Sequence, residues 1–211
     1  KTEIFNYYVT SNHPNQKYGG NGAGFLGYDS SNDKKYRQFV QFKKLPSIPM
    51  GSVILSSKMY YAQTSYSNVR MPSLCIVAKR VTGNTQWKSA TTWNTQPKFD
   101  DTILDYQYLS QSTNKDYVGW DITPLIKEHY ESQQNDYKSF VLTAYDESAL
   151  NDKKCAKAKI IQDNSSGYFT GAQPLLEIVY RDTRGIEDYY GNTSQDIGRA
   201  GTAYIGDYND Q

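Results

Sequence analysis

The chain has 211 residues, 37% of them hydrophobic and 14% aromatic, with 20 tyrosines and a formal net charge of +1. Disordered chains are poor in aromatics and rich in net charge, so this composition excludes one. No apolar run approaches the ~20 residues of a membrane-spanning helix, and balanced charge provides no global field for nucleic acid or anionic lipid.

Periodicity favours strands almost throughout. Candidate runs in chain order are residues 4–10, 25–28, 36–43, 53–61, 73–81, 118–122, 140–145, 156–160 and 176–180. In the fourth, the alternation places Val53, Leu55, Met59 and Tyr61 on the core face and Ser56, Lys58 and Tyr60 outside. Val118, Trp120 and Ile122 point one way in the sixth, and Ala156, Ala158 and Ile160 alternate with Lys157 and Lys159 in the eighth. Trp93 and Trp120 are assigned to the core. One helix is expected after Asp121, capped by Thr123, with Pro124 in its first turn and Leu125, Ile126, His129 and Tyr130 on one stripe. It would plug one end of the fold. Many short strands between turn clusters predict an all-β antiparallel sandwich, a jelly roll, over residues 1–181.

After Tyr180 the apolar alternation stops and Gly and Tyr dominate. Residues 182–211 carry six acids (Asp182, Glu187, Asp188, Asp196, Asp207, Asp210) against Arg184 and Arg199, net −4, so the body carries +5. This tail is expected to be a linker or the start of a next module. The absence of an initial Met and the Gly/Tyr pattern running to Gln211 suggest a piece of a longer polypeptide.

Catalytic signatures are sparse. Gly22-Ala23-Gly24-Phe25-Leu26-Gly27 spells the dinucleotide fingerprint, but a turn precedes it and no helix can open after it. His13 and His129 are the sole histidines and stand near no nucleophile elbow. The acid clusters Asp100, Asp101, Asp105 and Asp146, Glu147 lie in stretches that read as solvated loops rather than as the facing carboxylates of a glycosidase. No enzyme is expected, and no cofactor is required. Asp29, Asn32 and Asp33 offer oxygen ligands in a turn, a chemistry that suits structural calcium but also an ordinary Asx turn. Cys75 and Cys155 make neither a disulfide framework nor a metal knuckle, and their pairing stays open.

Aromatic side chains with polar neighbours can stack on sugar rings. Tyr60 on the outer face, Tyr66 in the loop after it, and Trp87 in a polar loop are the candidates for such stacking, with Lys157 and Lys159 supplying charge for an anionic glycan. The Lys-rich run 153–159 also suits a solvated edge strand.

Several pieces occur in a recognisable order: Asn15-Gln16-Lys17-Tyr18-Gly19, Phe25-Leu26-Gly27-Tyr28, Arg37 to Phe42, Trp87 with Trp93-Asn94-Thr95-Gln96-Pro97, Trp120-Asp121-Ile122-Thr123, and Pro174 to Tyr180. In this the chain resembles the DNRLRE-domain family of extracellular β-sandwich modules, close to the disaggregatase-related, alginate-associated carbohydrate-binding modules. The tail, with Arg184-Gly185-Ile186-Glu187-Asp188-Tyr189-Tyr190 and Asp196 to Ile205, resembles the connector into Rhs/YD-repeat proteins. The resemblances imply a non-catalytic extracellular module of a large bacterial surface or secreted protein, with a polysaccharide or cell-surface glycan as partner. The alternative is a structural spacer that docks on the downstream domains of its own chain. Neither reading involves nucleic acid or a membrane span.

Overall fold

A computed structural model of the chain describes residues 3–19, 22–31, 33–68, 71–83, 91–111, 116–131, 138–151, 153–161, 173–182 and 200–206. Twelve strands and one helix follow in order: β1 (Glu3–Thr10), β2 (Tyr18–Gly19), β3 (Ala23–Asp29), β4 (Lys34–Lys44), β5 (Val53–Asn68), β6 (Ser73–Val81), β7 (Phe99–Ser110), β8 (Asp116–Asp121), α1 (Thr123–Glu131), β9 (Lys138–Ala144), β10 (Ala156–Ile161), β11 (Leu175–Arg181) and β12 (Ala200–Gly206). All pairings are antiparallel. They run β12-β11-β5-β10-β3-β4-β9-β6-β7, with β1 on β4, β2 on β1 and β8 on β5. The sheet curls over a single main core, giving the expected all-β, sandwich-like architecture.

That core is built from alternate residues of facing strands. Leu26, Val40, Met59, Tyr61, Leu74, Ile76, Trp120, Phe140, Leu142, Ala158, Ile160 and Ile178 are all buried in it. Trp120 is its largest fully buried side chain among the described residues, and its indole N–H donates across to the Ile76 carbonyl at 3.1 Å, joining β8 to β6. A buried indole needs such a partner, because an unsatisfied donor costs about 1–3 kcal/mol. Trp93 is placed differently from the expectation. It is only partly buried and lies against a smaller second cluster of Val9, Phe39, Val81 and Val141.

The long β5 departs most from its sequence pattern. Val53 and Leu55 are exposed and Ile54 is buried, the reverse of the expected alternation. The register against β11 slips between Val179 and Tyr180, which pair with Ser56 and Ile54, leaving Leu55 as the extra residue. A second slip leaves Thr64 extra against β10. Each bulge inserts one residue and resets which side chains face inward. The second one turns Tyr66 into the core, 9% exposed, with its hydroxyl donating to the Met71 carbonyl. Tyr66 is therefore a strand residue, not a loop residue.

The helix forms where expected, but its first turn is tied down differently. Asp121 Oδ1 accepts from the Thr123 N–H, while Thr123 Oγ1 accepts from the Ser57 N–H at 2.8 Å. Asp121 thus satisfies the helix start, and Thr123 binds the helix to β5. Leu125 and Ile126 are buried in the main core. No described helix is long and apolar enough to cross a membrane.

The glycine-rich run 22–27 lies in and beside β3, and a turn follows it rather than a helix. Gly27 has φ +99°, and a Cβ there would fall 2.3 Å from the Ala156 carbonyl oxygen. The glycine serves close strand approach.

β7 and β12 lie outside the expected runs. Asp100, Asp101 and Asp105, read as loop carboxylates, belong to β7. Residues 200–206 of the expected tail pair with β11 along its full length.

Candidate functional site

One face of β9, β6 and β7 carries a groove of about 230 Å³ lined by Cys75, Val77, Ile103, Tyr106, Tyr108 and Tyr145. Strand pairing explains the assembly. Cys75 is opposite Tyr108 and Val77 is opposite Tyr106 in the β6–β7 ladder, so these four side chains share a face. The register then shifts between Ala78 and Lys79, and Ile103 comes opposite Lys79 at the groove's end. On the other side the Tyr145 N–H donates to the Cys75 carbonyl at 3.0 Å, which carries Tyr145 to the opposite wall.

The three tyrosines are 58%, 65% and 63% exposed, in the order Tyr106, Tyr108, Tyr145. Large exposed aromatics grouped around a concavity mark interaction sites more often than scattered ones do. The Tyr106 and Tyr108 rings are 6.1 Å apart and nearly perpendicular, at 83°. The floor is firm. Val77 is fully buried, and Cys75 is half-buried, its thiol pushed up by burial while the Tyr108 hydroxyl bonds to it. Cys155 is buried elsewhere, and both cysteines are free thiols.

Beside the groove, a second polar centre is fully engaged in structure. The Arg37 guanidinium donates from Nε and a terminal nitrogen to both Glu147 carboxylate oxygens, and from its other nitrogen to Gln96 Oε1 at 2.7 Å. It lies 4.5 Å from the Trp93 ring centroid and 5.2 Å from that of Phe99. Thr143 Oγ1 donates to Glu147 Oε1 at 2.7 Å. Glu147, offered by the sequence as a loop carboxylate, is held as an acceptor and ion-pair partner.

Of the five residues marked by the sequence for sugar contact, four are described, and Tyr60 and Tyr66 lie apart from the open face that carries Lys157 and Lys159. Tyr60 is half-buried. Its ring lies on Gly119, where a Cβ would fall 2.4 Å from the ring, and its hydroxyl donates to Glu177 at 3.4 Å. Tyr66 is turned into the core, as described, and offers no open ring face. Trp87 lies outside the described residues. Lys157 forms an ion pair with Asp29 at 2.6 Å and sits 5.4 Å from the Phe25 ring centroid. Lys159 follows on the same face, opposite Phe25.

Around Lys157 is a compact aromatic group. Tyr8 stacks on Tyr18 at 4.6 Å and meets Phe25 edge-on at 5.6 Å, and Phe25 lies 5.4 Å from Tyr36. Tyr8 and Tyr36 are buried, and burial pushes the Tyr36 hydroxyl up to about 12. Tyr18 and Phe25 stay half-buried at its surface.

Of the three residues suited to calcium, Asn32 lies outside the described residues. Asp29 accepts from the Ser31 N–H and hydroxyl besides Lys157, and Asp33 accepts from the Tyr28 hydroxyl at 2.8 Å. Burial alone would raise the Asp29 carboxyl, but the Lys157 and Ser31 hydrogen bonds outweigh it and hold the group below its usual range. Among the described residues no group of three or more His, Cys, Asp or Glu is placed to hold a metal.

The sequence reading missed Tyr106, Tyr108 and Tyr145 as a site. The signal was present: Tyr106-Gln107-Tyr108 alternates within a strand-forming stretch, and Tyr145 closes the Thr143-Ala144-Tyr145 alternation. The acidic residues before Tyr106 masked the strand.

A search of curated proteins finds no match to this chain. A family model does match, over residues 2–153, well beyond half of the chain and ending just before β10. That span contains all six residues of the tyrosine groove, and on this evidence the chain belongs to carbohydrate-binding module family 96.

Proposed function

We propose that the chain is a non-catalytic module that binds a polysaccharide or cell-surface glycan through the Tyr106–Tyr108–Tyr145 groove. The observation that carries the reading is the convergence of three exposed tyrosines, two from β7 and one from the turn after β9, on a firm, apolar floor. A pyranose presents a C–H face that packs on an aromatic ring and a hydroxyl rim that bonds to tyrosine hydroxyls and water. Tyrosine supplies both contacts at small entropic cost. The ordered resemblance to extracellular sandwich modules supports a setting in a large secreted or surface bacterial protein, Rhs-like in its C-terminal connector.

Affinity electrophoresis through gels cast with candidate polysaccharides tests this. Tyr106→Ala, Tyr108→Ala and Tyr145→Ala are expected each to weaken retardation by about tenfold or more in affinity, equivalent to ~1.4 kcal/mol. Their melting temperatures should stay near wild type, because the rings are mostly exposed. Undiminished retardation in all three variants would remove the groove from the reading.

One observation favours a second, structural role beside the first. Residues 200–206 add a strand to β11, so part of the tail is integrated with the body of the fold. A chain that binds no polysaccharide in the gels would leave docking toward downstream domains as the better account.

A further inference from the structure

We infer, on the reading of the groove as a sugar site, that Glu147 is a positioning residue for it. Gripped by Arg37 and Thr143, Glu147 fastens the turn that sets Tyr145 as the groove's wall, and it touches no sugar itself.

Two neighbouring rows of side chains cross the sheet at the groove. Thr143 is opposite Val77, and Val77 is opposite Tyr106. In the next row the Tyr145 N–H reaches the Cys75 carbonyl, and Cys75 is opposite Tyr108. Period 2 puts Thr143 on the face of Val141, which belongs to the smaller cluster rather than the main core. Arg37 extends the first row, because its neighbour Gln38 is opposite Leu142 in the β4–β9 ladder. After Tyr145 the chain turns and Glu147 reaches back to this first row. Its Oε1 accepts from Thr143 Oγ1 at 2.7 Å and from Arg37 Nε at 2.9 Å, and its Oε2 accepts from a terminal nitrogen of Arg37. Tyr145 therefore stands between a backbone tie to β6 and a carboxylate tie to β4 and β9.

That second tie matters because the Tyr145 ring is 63% exposed and is placed more by its backbone than by packing. A wall already set in place spares a ligand the cost of ordering it. Asp146 accepts from the Ser148 N–H and hydroxyl and from the Ala149 N–H, so it shapes the turn from within. Leu150 anchors the far end in the main core. Glu147 fastens the middle to the sheet. Its partner is itself held: Gln96 Oε1 accepts from Arg37, and the Gln96 amide donates to the Trp93 carbonyl at 2.7 Å. A guanidinium that grips both carboxylate oxygens fixes direction as well as distance.

The test compares the full chain with Tyr145→Ala, Glu147→Gln and the double variant, each well below its melting temperature. Arg37→Lys is added, as it keeps the charge and loses the two-pronged grip. One readout needs no sugar: the rate at which iodoacetamide alkylates half-buried Cys75, with buried Cys155 reporting any opening of the core. The other is retardation in gels cast with alginate, pectate or glucomannan. Glu147→Gln is expected to speed Cys75 alkylation at least about threefold, toward the Tyr145→Ala rate, with Cys155 unreactive; Arg37→Lys should shift it the same way by less. In any gel that retards wild type, Glu147→Gln should lose about three- to tenfold in affinity and add nothing in the Tyr145→Ala background, since it acts through that ring. A Cys75 rate unchanged in Glu147→Gln, or raised only together with that of Cys155, would overturn the inference and leave Glu147 a purely structural residue. Losses at Tyr145 and Glu147 that multiply in the double variant would overturn it too. Retardation unaltered by Tyr106→Ala, Tyr108→Ala and Tyr145→Ala would instead remove the sugar reading, while the Cys75 rates still decide whether Glu147 sets Tyr145.

Discussion

Trp120→Ala is expected to destabilise the fold by about 3–5 kcal/mol, the range for removing a fully buried large aromatic. Trp120 is fully buried, faces the Tyr61 ring at 6.4 Å, and carries the cross-core hydrogen bond to Ile76. Alanine would leave a cavity at the centre of the core and an Ile76 carbonyl short of its partner. Trp120→Phe separates the two effects. It restores most of the volume, so a loss of only about 1–3 kcal/mol would measure the missing N–H. Chemical denaturation gives both values. A Trp120→Ala midpoint equal to wild type would mean that the strands do not close on this residue.

The second large effect is expected at Glu147, which joins distant stretches of the chain. Glu147→Gln should cost about 2–3 kcal/mol. That lies somewhat below the ~3–5 kcal/mol for breaking a fully buried pair, because Arg37 and Glu147 remain 17% and 18% exposed. The variant keeps the shape but leaves the Arg37 charge without its anion, next to Trp93 and Phe99. The pH dependence identifies the charge as the cause. Burial pushes the Glu147 carboxyl up, but the Arg37 pair and the Thr143 hydroxyl outweigh it and hold it below its usual range. A carboxylate with a depressed folded pKa adds stability that is fully present above its unfolded value of about 4.3. That stability fades as pH falls through the folded value. The gap in unfolding free energy between wild type and Glu147→Gln should therefore be constant from pH 6 to 8 and shrink below about pH 4. An equal gap at pH 3 and pH 7 would assign the loss to shape rather than charge.

Much of the fold was legible because burial imposes period 2 on strands with one face in the core. The runs around Trp120, Phe140, Ala158 and Ile178 read correctly for that reason. The misreadings have local physical causes. In β5 the bulges at Leu55 and Thr64 break the alternation twice, and nothing in the residue types announces an inserted residue there. The alternation therefore points Leu55 inward and leaves Tyr66 to a loop, whereas Leu55 is exposed and Tyr66 is a buried strand residue. In β7, half of whose side chains are exposed and which among the described strands pairs with β6 alone, Asp100, Asp101 and Asp105 are as acceptable as in a loop. Charged residues also suit an edge strand, where they deter further pairing. β12 is framed by glycines and lacks a run of aliphatics.

The site was less legible than the fold for a geometric reason. A stacking platform needs rings brought together across strands, so it depends on registers such as Cys75 with Tyr108 and Val77 with Tyr106. Composition points to sugar contact through tyrosine, and the structure groups three exposed tyrosines, Tyr106, Tyr108 and Tyr145, around one groove. Single-strand reading selected Tyr60 and Tyr66, which Gly119 and the core cover. Lys157, selected for charge, is matched by Asp29.

Glycan binding in the groove is tested most directly by an NMR titration of the full chain with an oligosaccharide from whichever polysaccharide retards it, following backbone amides and tyrosine ring signals. Binding in the groove predicts shift changes at residues 75–77, 103–108 and 143–145, with the largest ring shifts at Tyr106, Tyr108 and Tyr145. Changes confined instead to Phe25, Tyr36, Lys157 and Lys159 would contradict it and move the glycan to the β3–β10 face.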